Sequence, residues 1–261
     1  MSLFHLVVLA LLFLVTSIVG VVTGSNSLIT VPVMFQFGID EKVAIATNMF
    51  GLTFMAVGGT IPFVRQQTIE FGKLWPFIIV TVIGSAIGAA LVGLITNQGI
   101  KIIVSVGMVV IVLFTLYRPG RSERALAVEE PPARMKDARG DFSITAIALV
   151  LTFFLAIYGG LYSGGYVTVL TATFVAFASM TFTESIAATK LINVFSSGIA
   201  TLVFMWQGLV DYRLGVILGI AMFVGAYAGA HLATRMNEVW LKRIFLSTVM
   251  ILAVKMFYDF L

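Results

Sequence analysis

Two stretches of this chain place groups that can hold an anion inside otherwise apolar sequence. The first is Gly20-Val-Val-Thr-Gly-Ser-Asn-Ser27, followed by an apolar run and then Ala46-Thr47-Asn48. The second is Gly159-Gly-Leu-Tyr-Ser-Gly-Gly-Tyr166, followed by an apolar run and then Ala188-Thr189-Lys190-Leu-Ile-Asn193. In lipid every backbone N–H and C=O needs a partner, so a helix break survives only inside protein or around a polar cavity. A helix that restarts after such a break directs free N–H groups and a positive dipole end at whatever lies beyond it, which is an anion site in the making. Gly24 on one side and Gly164 and Gly165 on the other let the backbone come close. Ser25, Asn26 and Ser27, with Tyr162, Ser163 and Tyr166, add side-chain donors. A plain tight turn would use the same residues, but the break occurs in both parts of the chain, which favours a site.

Lys190 is the sharpest single residue. It lies within an apolar run between Ala187-Ala188 and Leu191-Ile192. A lysine at mid-bilayer costs about 2.5–3.5 kcal/mol on insertion scales, so a bound anion or a carboxylate is its natural partner. Asn193 and Ser197 follow at i+3 and i+7 on the same helix face. The competing reading is snorkelling, in which the long stem carries the charge to the interface. At the place equivalent to Lys190 the first part of the chain carries Asn48, so the pair offers one charge and one amide donor. That combination suits a monoanion or small dianion better than a cation.

The elements that must position these residues are membrane helices. Of 261 residues 60% are hydrophobic and 11% charged, against roughly 25% charged in soluble domains. The expected fold is therefore all-α and polytopic. About 20 apolar residues are needed for each crossing, and long spans read at roughly 3–22, 42–64, 73–95, 100–117, 142–162, 183–206, 213–235 and 239–258. The run from Leu3 has no basic segment before it and reads as a retained helix, not a signal peptide. Two shorter runs, 26–38 and 166–180, follow the glycine-rich stretches and read as broken or re-entrant pieces. Trp75, Trp206 and Trp240 fall at span ends, as interface-anchoring aromatics do. The carboxylates Asp40, Glu41, Glu70, Glu184 and Asp211 also lie at span ends, where solvation accounts for them.

Between the spans, 118–141 is the one stretch with a water-soluble composition. It holds Arg118, Arg121, Arg124, Arg134, Lys136 and Arg139 of the sixteen Lys+Arg, which places it in the cytoplasm. Around this linker the chain repeats itself. Glu70 and Asp211, Gly84 and Gly225, Gly88 and Gly229, and Lys101 and Lys242 are each 141 positions apart. Ala46-Thr47 and Ala188-Thr189 are 142 apart, a one-residue gap. The expected organisation is a first transmembrane repeat at 1–117, the linker at 118–141 and a second repeat at 142–261. Each repeat has about four long helices and a short broken one. Re-entrant short pieces would make the repeats parallel and crossing ones would make them inverted; composition does not choose. The Gly-x-x-x-Gly pairs read as close helix packing.

Several classes of chemistry are excluded. The chain has no Cys and two His far apart, His5 and His231, so thiolate metal sites and H-E-x-x-H zinc chemistry are out. No G-x-x-x-x-G-K-[ST] loop is present, and no paired nucleophile and base stands among the spans. No catalytic residue, cofactor or metal is expected. The net charge of +4 is modest, and the six Lys+Arg of the linker read as membrane orientation, not nucleic-acid binding.

The glycine-rich break in the first span, Val31-Pro32 soon after it and Ala46-Thr47-Asn48 resemble the TauE/SafE family of sulfite and organosulfonate exporters. So do Gly160-Leu-Tyr-Ser-Gly-Gly165 and Ala188-Thr-Lys-Leu-Ile-Asn193. The resemblance covers nearly the whole chain, including the duplication and the polar linker. One departure is Gly24-Ser25-Asn26-Ser27, where members of the family often carry a longer glycine run. The resemblance implies a multi-pass secondary transporter of the bacterial inner membrane that exports sulfite, sulfoacetate or a related organosulfonate. Lys190 would then supply charge, and Asn48, Asn193, Thr47 and Thr189 would donate to sulfonate-type oxygens. The expected partners are that small anion and the bilayer, with a homodimer left open. The rival readings are an anion channel, a carrier of another small organic anion and, more distantly, an intramembrane enzyme.

Overall fold

A computed structural model describes residues 3–24, 26–66, 71–117, 142–178 and 180–237, together with Trp240, Arg243 and Ser247. The linker 118–141, Ser25, Glu70, Lys242 and most of the predicted span 239–258 lie outside the described residues. The described chain is nearly all helix. The elements are α1 (Leu3–Thr23), α2 (Ser27–Gln36), α3 (Glu41–Arg65), α4 (Phe71–Leu94), α5 (Asn97–Tyr117), α6 (Phe142–Leu161), α7 (Tyr166–Phe177), α8 (Phe182–Trp206) and α9 (Tyr212–Ala233). Among the described residues α1, α3, α8, α9 and Leu74–Leu94 of α4 are long and apolar enough to cross a membrane.

Large apolar side chains recur every fourth residue on exposed faces: Leu3, Val7, Leu11 and Val15 on α1, Ile79, Ile83, Ile87 and Leu91 on α4, and Val216, Ile220 and Val224 on α9. A helix that turns such a stripe outward is solvated by lipid. α3 and α8 are instead buried over most of their length and form the centre of the molecule. Trp75, Trp206 and Trp240 are all exposed.

The carboxylates at helix starts are caps. Asp40 accepts from the N–H groups of Lys42 and Val43, and Asp211 accepts from that of Leu214. Thr181 and Glu184 form a reciprocal capping box at the start of α8. Glu41 pairs with Lys101 at 2.8 Å.

Glycine contacts give the helix directions. A methyl group at Gly84 would meet the Phe153 carbonyl at 2.8 Å, and one at Gly88 would collide with the Ile157 carbonyl, so α4 and α6 run parallel. Gly225 and Gly229 press α9 on the carbonyls of Leu14 and Ile18 in the same way, so α1 and α9 are parallel. Phe50 lies against Gly215 and Phe54 against Gly219, which makes α3 parallel to α9. Ser85 meets Ser196, and Gln207 donates to the carbonyls of Ala89 and Ala90, so α4 and α8 are parallel. Between these two sets the direction reverses: Thr53 of α3 meets Thr201 of α8, while Gly59, further along α3, meets Lys190, earlier along α8.

The core is thus two bundles of opposite direction. One holds α1, α3 and α9, and the other α6, α8 and α4. Each takes two helices from one side of the polar linker and one from the other. The short helices α2 and α7 are the reason. Asn26 lies at Met55 and Thr30 at Asn48, so α2 runs against α3. Tyr166 lies toward Thr81 and Phe174 against Phe77, so α7 runs against α4. With 10 and 12 residues, α2 and α7 rise only about 15–18 Å, half of a ~30 Å hydrocarbon core. Each turns the chain back inside the molecule without crossing it, so α1 and α3 run one way and α6 and α8 the other; the expectation that re-entrant pieces give halves of one direction does not hold for these helices.

The close helix seams carry a large expected effect. In Gly88→Ala the added methyl has no room beside the Ile157 carbonyl and forces α4 off α6. A loss of about 1–3 kcal/mol is expected, read as a lower thermal unfolding midpoint in detergent. Gly198→Ala, where nothing lies within 4 Å of the new methyl, should leave the midpoint unchanged.

Candidate functional site

The two glycine-rich breaks meet. Gly24 has φ +71°, a conformation that L side chains rarely adopt, and a methyl on it would lie 2.7 Å from Val167 Cβ and 2.8 Å from the Thr168 nitrogen. The Thr168 hydroxyl donates to the Thr23 carbonyl at 2.7 Å, and the Tyr162 hydroxyl to the Ser27 carbonyl at 3.3 Å. The end of α1 and the start of α2 are therefore tied to the turn before α7 by bonds that cross from one half of the sequence to the other.

These interior helix starts differ from the outer ones. α3, α8 and α9 each begin on a carboxylate or hydroxyl that accepts from their first N–H groups. α2 begins at Asn26 and α7 at Gly165, and neither has a side-chain cap bond. Asn26 Oδ1 is buried without a hydrogen-bond partner among the described residues. Two uncapped helix starts buried in protein leave N–H groups and positive dipole ends pointed at the interior.

Asn48 belongs to the first of these starts. Its Oδ1 accepts from Thr30 Oγ1 at 2.8 Å and its Nδ2 donates to Ser27 Oγ at 3.0 Å. In the second half Thr171 takes the corresponding place beside Thr189, with the hydroxyls 3.4 Å apart, while Thr189 also donates to the Ile186 carbonyl. Ser163 has φ +64°, and Gly164 presents its carbonyl to Tyr158 Oη at 2.7 Å. Gly165 has φ +74° and opens α7, whose first residue, Tyr166, is fully buried. Thr47 points elsewhere and accepts from the Asp211 N–H at 3.0 Å, serving the start of α9. Ser25 lies outside the described residues.

Lys190 is 3% exposed, inside the α3–α8 interface. Its Cδ runs past Gly59, where a methyl group would sit in ordinary contact at 3.8 Å while meeting Val21 at 2.7 Å. Among the described residues no carboxylate pairs with its ammonium and no hydrogen bond engages it. The side chain does not snorkel; it is held in protein. Asn193, one turn on, is likewise buried and its amide has no partner among the described residues.

Lys190 and Asn48 do not form one donor pair. Gly59, against which the Lys190 stem lies, follows Asn48 by eleven residues, about 16 Å along a helix. An ion the size of sulfite at Lys190 does not reach Asn48. The positions correspond in sequence, but their helices run oppositely, which separates them. Thr30 and Thr168 were not singled out by the sequence reading. The first was findable, since Thr30 and Thr171 are 141 positions apart, the offset of the other repeated residues.

Lipid-facing helices around two broken hairpins, with an unpaired cation inside, define a polytopic membrane transporter. The sequence model of the family described as Sulfite exporter TauE/SafE matches residues 8–256. The chain belongs to that family. A probable membrane transporter protein, ORF9, of a Sinorhizobium species is 24% identical over 98% of this chain and 94% of its own length. A probable membrane transporter protein of Haemophilus influenzae is 22% identical, covering 96% of this chain and 95% of its own length. The probable membrane transporter protein YfcA of Escherichia coli K12 is 23% identical, covering 96% and 90%. No solved structure matches the chain.

Proposed function

We propose that the chain is a secondary transporter that exports a small sulfur-containing anion, either sulfite, sulfoacetate or a related organosulfonate, across the bacterial inner membrane. The observation that carries this reading is the buried Lys190 ammonium without a protein counter-charge. An isolated charge inside a membrane bundle is costly enough to mark a substrate pathway, and an anion offsets that cost where a cation would add to it. The uncapped starts of α2 and α7 add further preference for negative charge. The sulfur oxyanion follows from membership in the Sulfite exporter TauE/SafE family.

In this reading residues 1–117 and 142–261 are inverted repeats joined by a cytoplasmic linker, 118–141. Support comes from the constant offset in the sequence and from the opposite directions of α1 and α6, α3 and α8, and α4 and α9. Transporters with this symmetry expose a central site alternately to the two sides as one bundle rocks against the other. The moving bodies here are the two mixed bundles, not the two halves of the sequence. An inside-negative potential favours anion exit by about 2.3 kcal/mol per charge per 100 mV, so a proton partner is not needed.

Purified protein in proteoliposomes tests the reading. Saturable sulfite uptake that is accelerated by sulfite on the opposite side is expected of a carrier. A current that rises linearly with voltage and shows no counterflow would identify a channel and overturn the proposal.

A further inference from the structure

On the face of α8 away from α3 the interior holds a second polar cluster, made of hydroxyls alone. Thr81 and Ser85 stand one turn apart on α4, Ser196 faces them from α8, and Tyr166 enters from the start of α7. All four are 2% exposed or less. Ser85 and Ser196 share a hydrogen bond at 2.7 Å, and Ser85 Oγ also lies 3.2 Å from the Ala156 carbonyl. Tyr166 Oη is directed toward Thr81 and Ser196 but makes a well-formed hydrogen bond with neither, and Thr81 Oγ1 has no partner among the described residues.

The fold does not demand this cluster. At the offsets that relate the two halves, Thr81 corresponds to Met222, Ser85 to Ala226, Ser196 to Phe54 and Asn193 to Gly51. At those offsets one half carries apolar residues, with Gly51 packed on the Met222 sulfur, and the other carries hydroxyls and an amide. Buried O–H groups without an acceptor are unfavourable unless something accepts from them. Lys190, Asn193 and Ser196 follow one another at i, i+3 and i+6, a polar ridge that winds about 9 Å along α8 from the α3 side to the α4 side.

We propose that Thr81, Ser85, Tyr166 and Ser196 form a second, uncharged station for the transported oxyanion, reached from Lys190 past Asn193. This rests on the anion-carrier reading and names the next step of the same path. An oxyanion brings lone pairs to O–H groups that lack acceptors, and the start of α7 at Tyr166 adds a positive dipole end. With no cation in the cluster, binding there is weak, as release from a transport path requires.

The test uses the full-length protein and ³⁵S-sulfite, measuring equilibrium binding in detergent and flux in proteoliposomes. Tyr166→Phe with Ser196→Ala is expected to lower the maximal flux at least tenfold while the sulfite Kd changes less than twofold, because the Lys190 station is intact. If that double variant does not fold, Thr81→Val, which keeps the shape and removes the hydroxyl, should show the same split. Wild-type flux in the folded variants, with or without a change in thermal midpoint, would make the cluster structural and overturn the proposal. Lys190→Met, measured in parallel, separates the two readings. Loss of sulfite binding in Lys190→Met with normal flux in the hydroxyl variants removes only the second station. Normal binding in Lys190→Met with impaired hydroxyl variants removes the Lys190 site and leaves the hydroxyl cluster as the anion's contact.

Discussion

Replacing Lys190 with methionine should abolish anion binding and, in the same variant, make the empty protein more stable. The binding loss follows from charge. In the proposed site the ammonium in the α3–α8 interface meets the anion through charge-assisted hydrogen bonds, and removing one partner of a buried charged pair costs about 3–5 kcal/mol. At about 1.4 kcal/mol per tenfold, sulfite affinity should fall by a factor of at least about 100. The stability gain follows from the same burial. Methionine fills a similar volume beside Gly59 and Val21, and no desolvated cation remains to be accommodated. A sulfite titration followed by thermal unfolding reads both effects: the starting midpoint rises and the ligand-induced shift disappears. A midpoint and a ligand shift both equal to wild type would mean that the ammonium reaches water, and the site assignment would be lost.

Locking α3 to α8 should stop transport reversibly. Thr53 Oγ1 and Thr201 Oγ1 are 3.0 Å apart, which brings the two Cβ atoms near disulfide range. The two helices belong to opposite bundles, so Thr53→Cys with Thr201→Cys joins the bodies that rock in the proposed mechanism. The chain has no cysteine of its own, so oxidation acts at the engineered pair alone. Flux is expected to fall to background on oxidation and to return with reductant, while sulfite binding persists. The control joins two helices of one bundle. Phe50 and Tyr212 stack edge to face at 6.2 Å between α3 and α9, and a short bifunctional reagent across cysteines there should leave flux intact. Normal flux in the oxidised Thr53/Thr201 pair would show that the bundles do not move apart along this interface.

The difference between the two halves gives these variants their meaning. At the 142-residue offset Lys190, Asn193 and Ser196 fall on Asn48, Gly51 and Phe54, although by contact Thr189 beside Thr171 is the counterpart of Asn48 beside Thr30. Asn48 is spent on holding α2 in place through Thr30 and Ser27, whereas Lys190 and Asn193 hold nothing in the described protein. A structural residue is satisfied by its neighbours, and a residue kept for a ligand is not. This contrast, more than the presence of a lysine in an apolar run, supports the proposed site at Lys190.

By itself the sequence determined that the chain lives in a membrane, where its helices lie, that two of them are short and follow glycine-rich breaks, and that Lys190 sits in an apolar helix. Those are local properties: hydropathy and helix length act within some 20 residues, and an offset of 141 can be counted. The same counting made Asn48 and Lys190 look like partners, and it left the choice between parallel and inverted halves open. Both turn on helix direction, which only the tertiary structure gives. Helix direction depends on whether α2 and α7 turn back within the protein, and that is set by contacts such as Thr30 with Asn48 and Phe77 with Phe174. Which residues share a site follows from direction, because opposite helices carry equivalent positions apart and bring distant ones, such as Thr81 and Ser196, together.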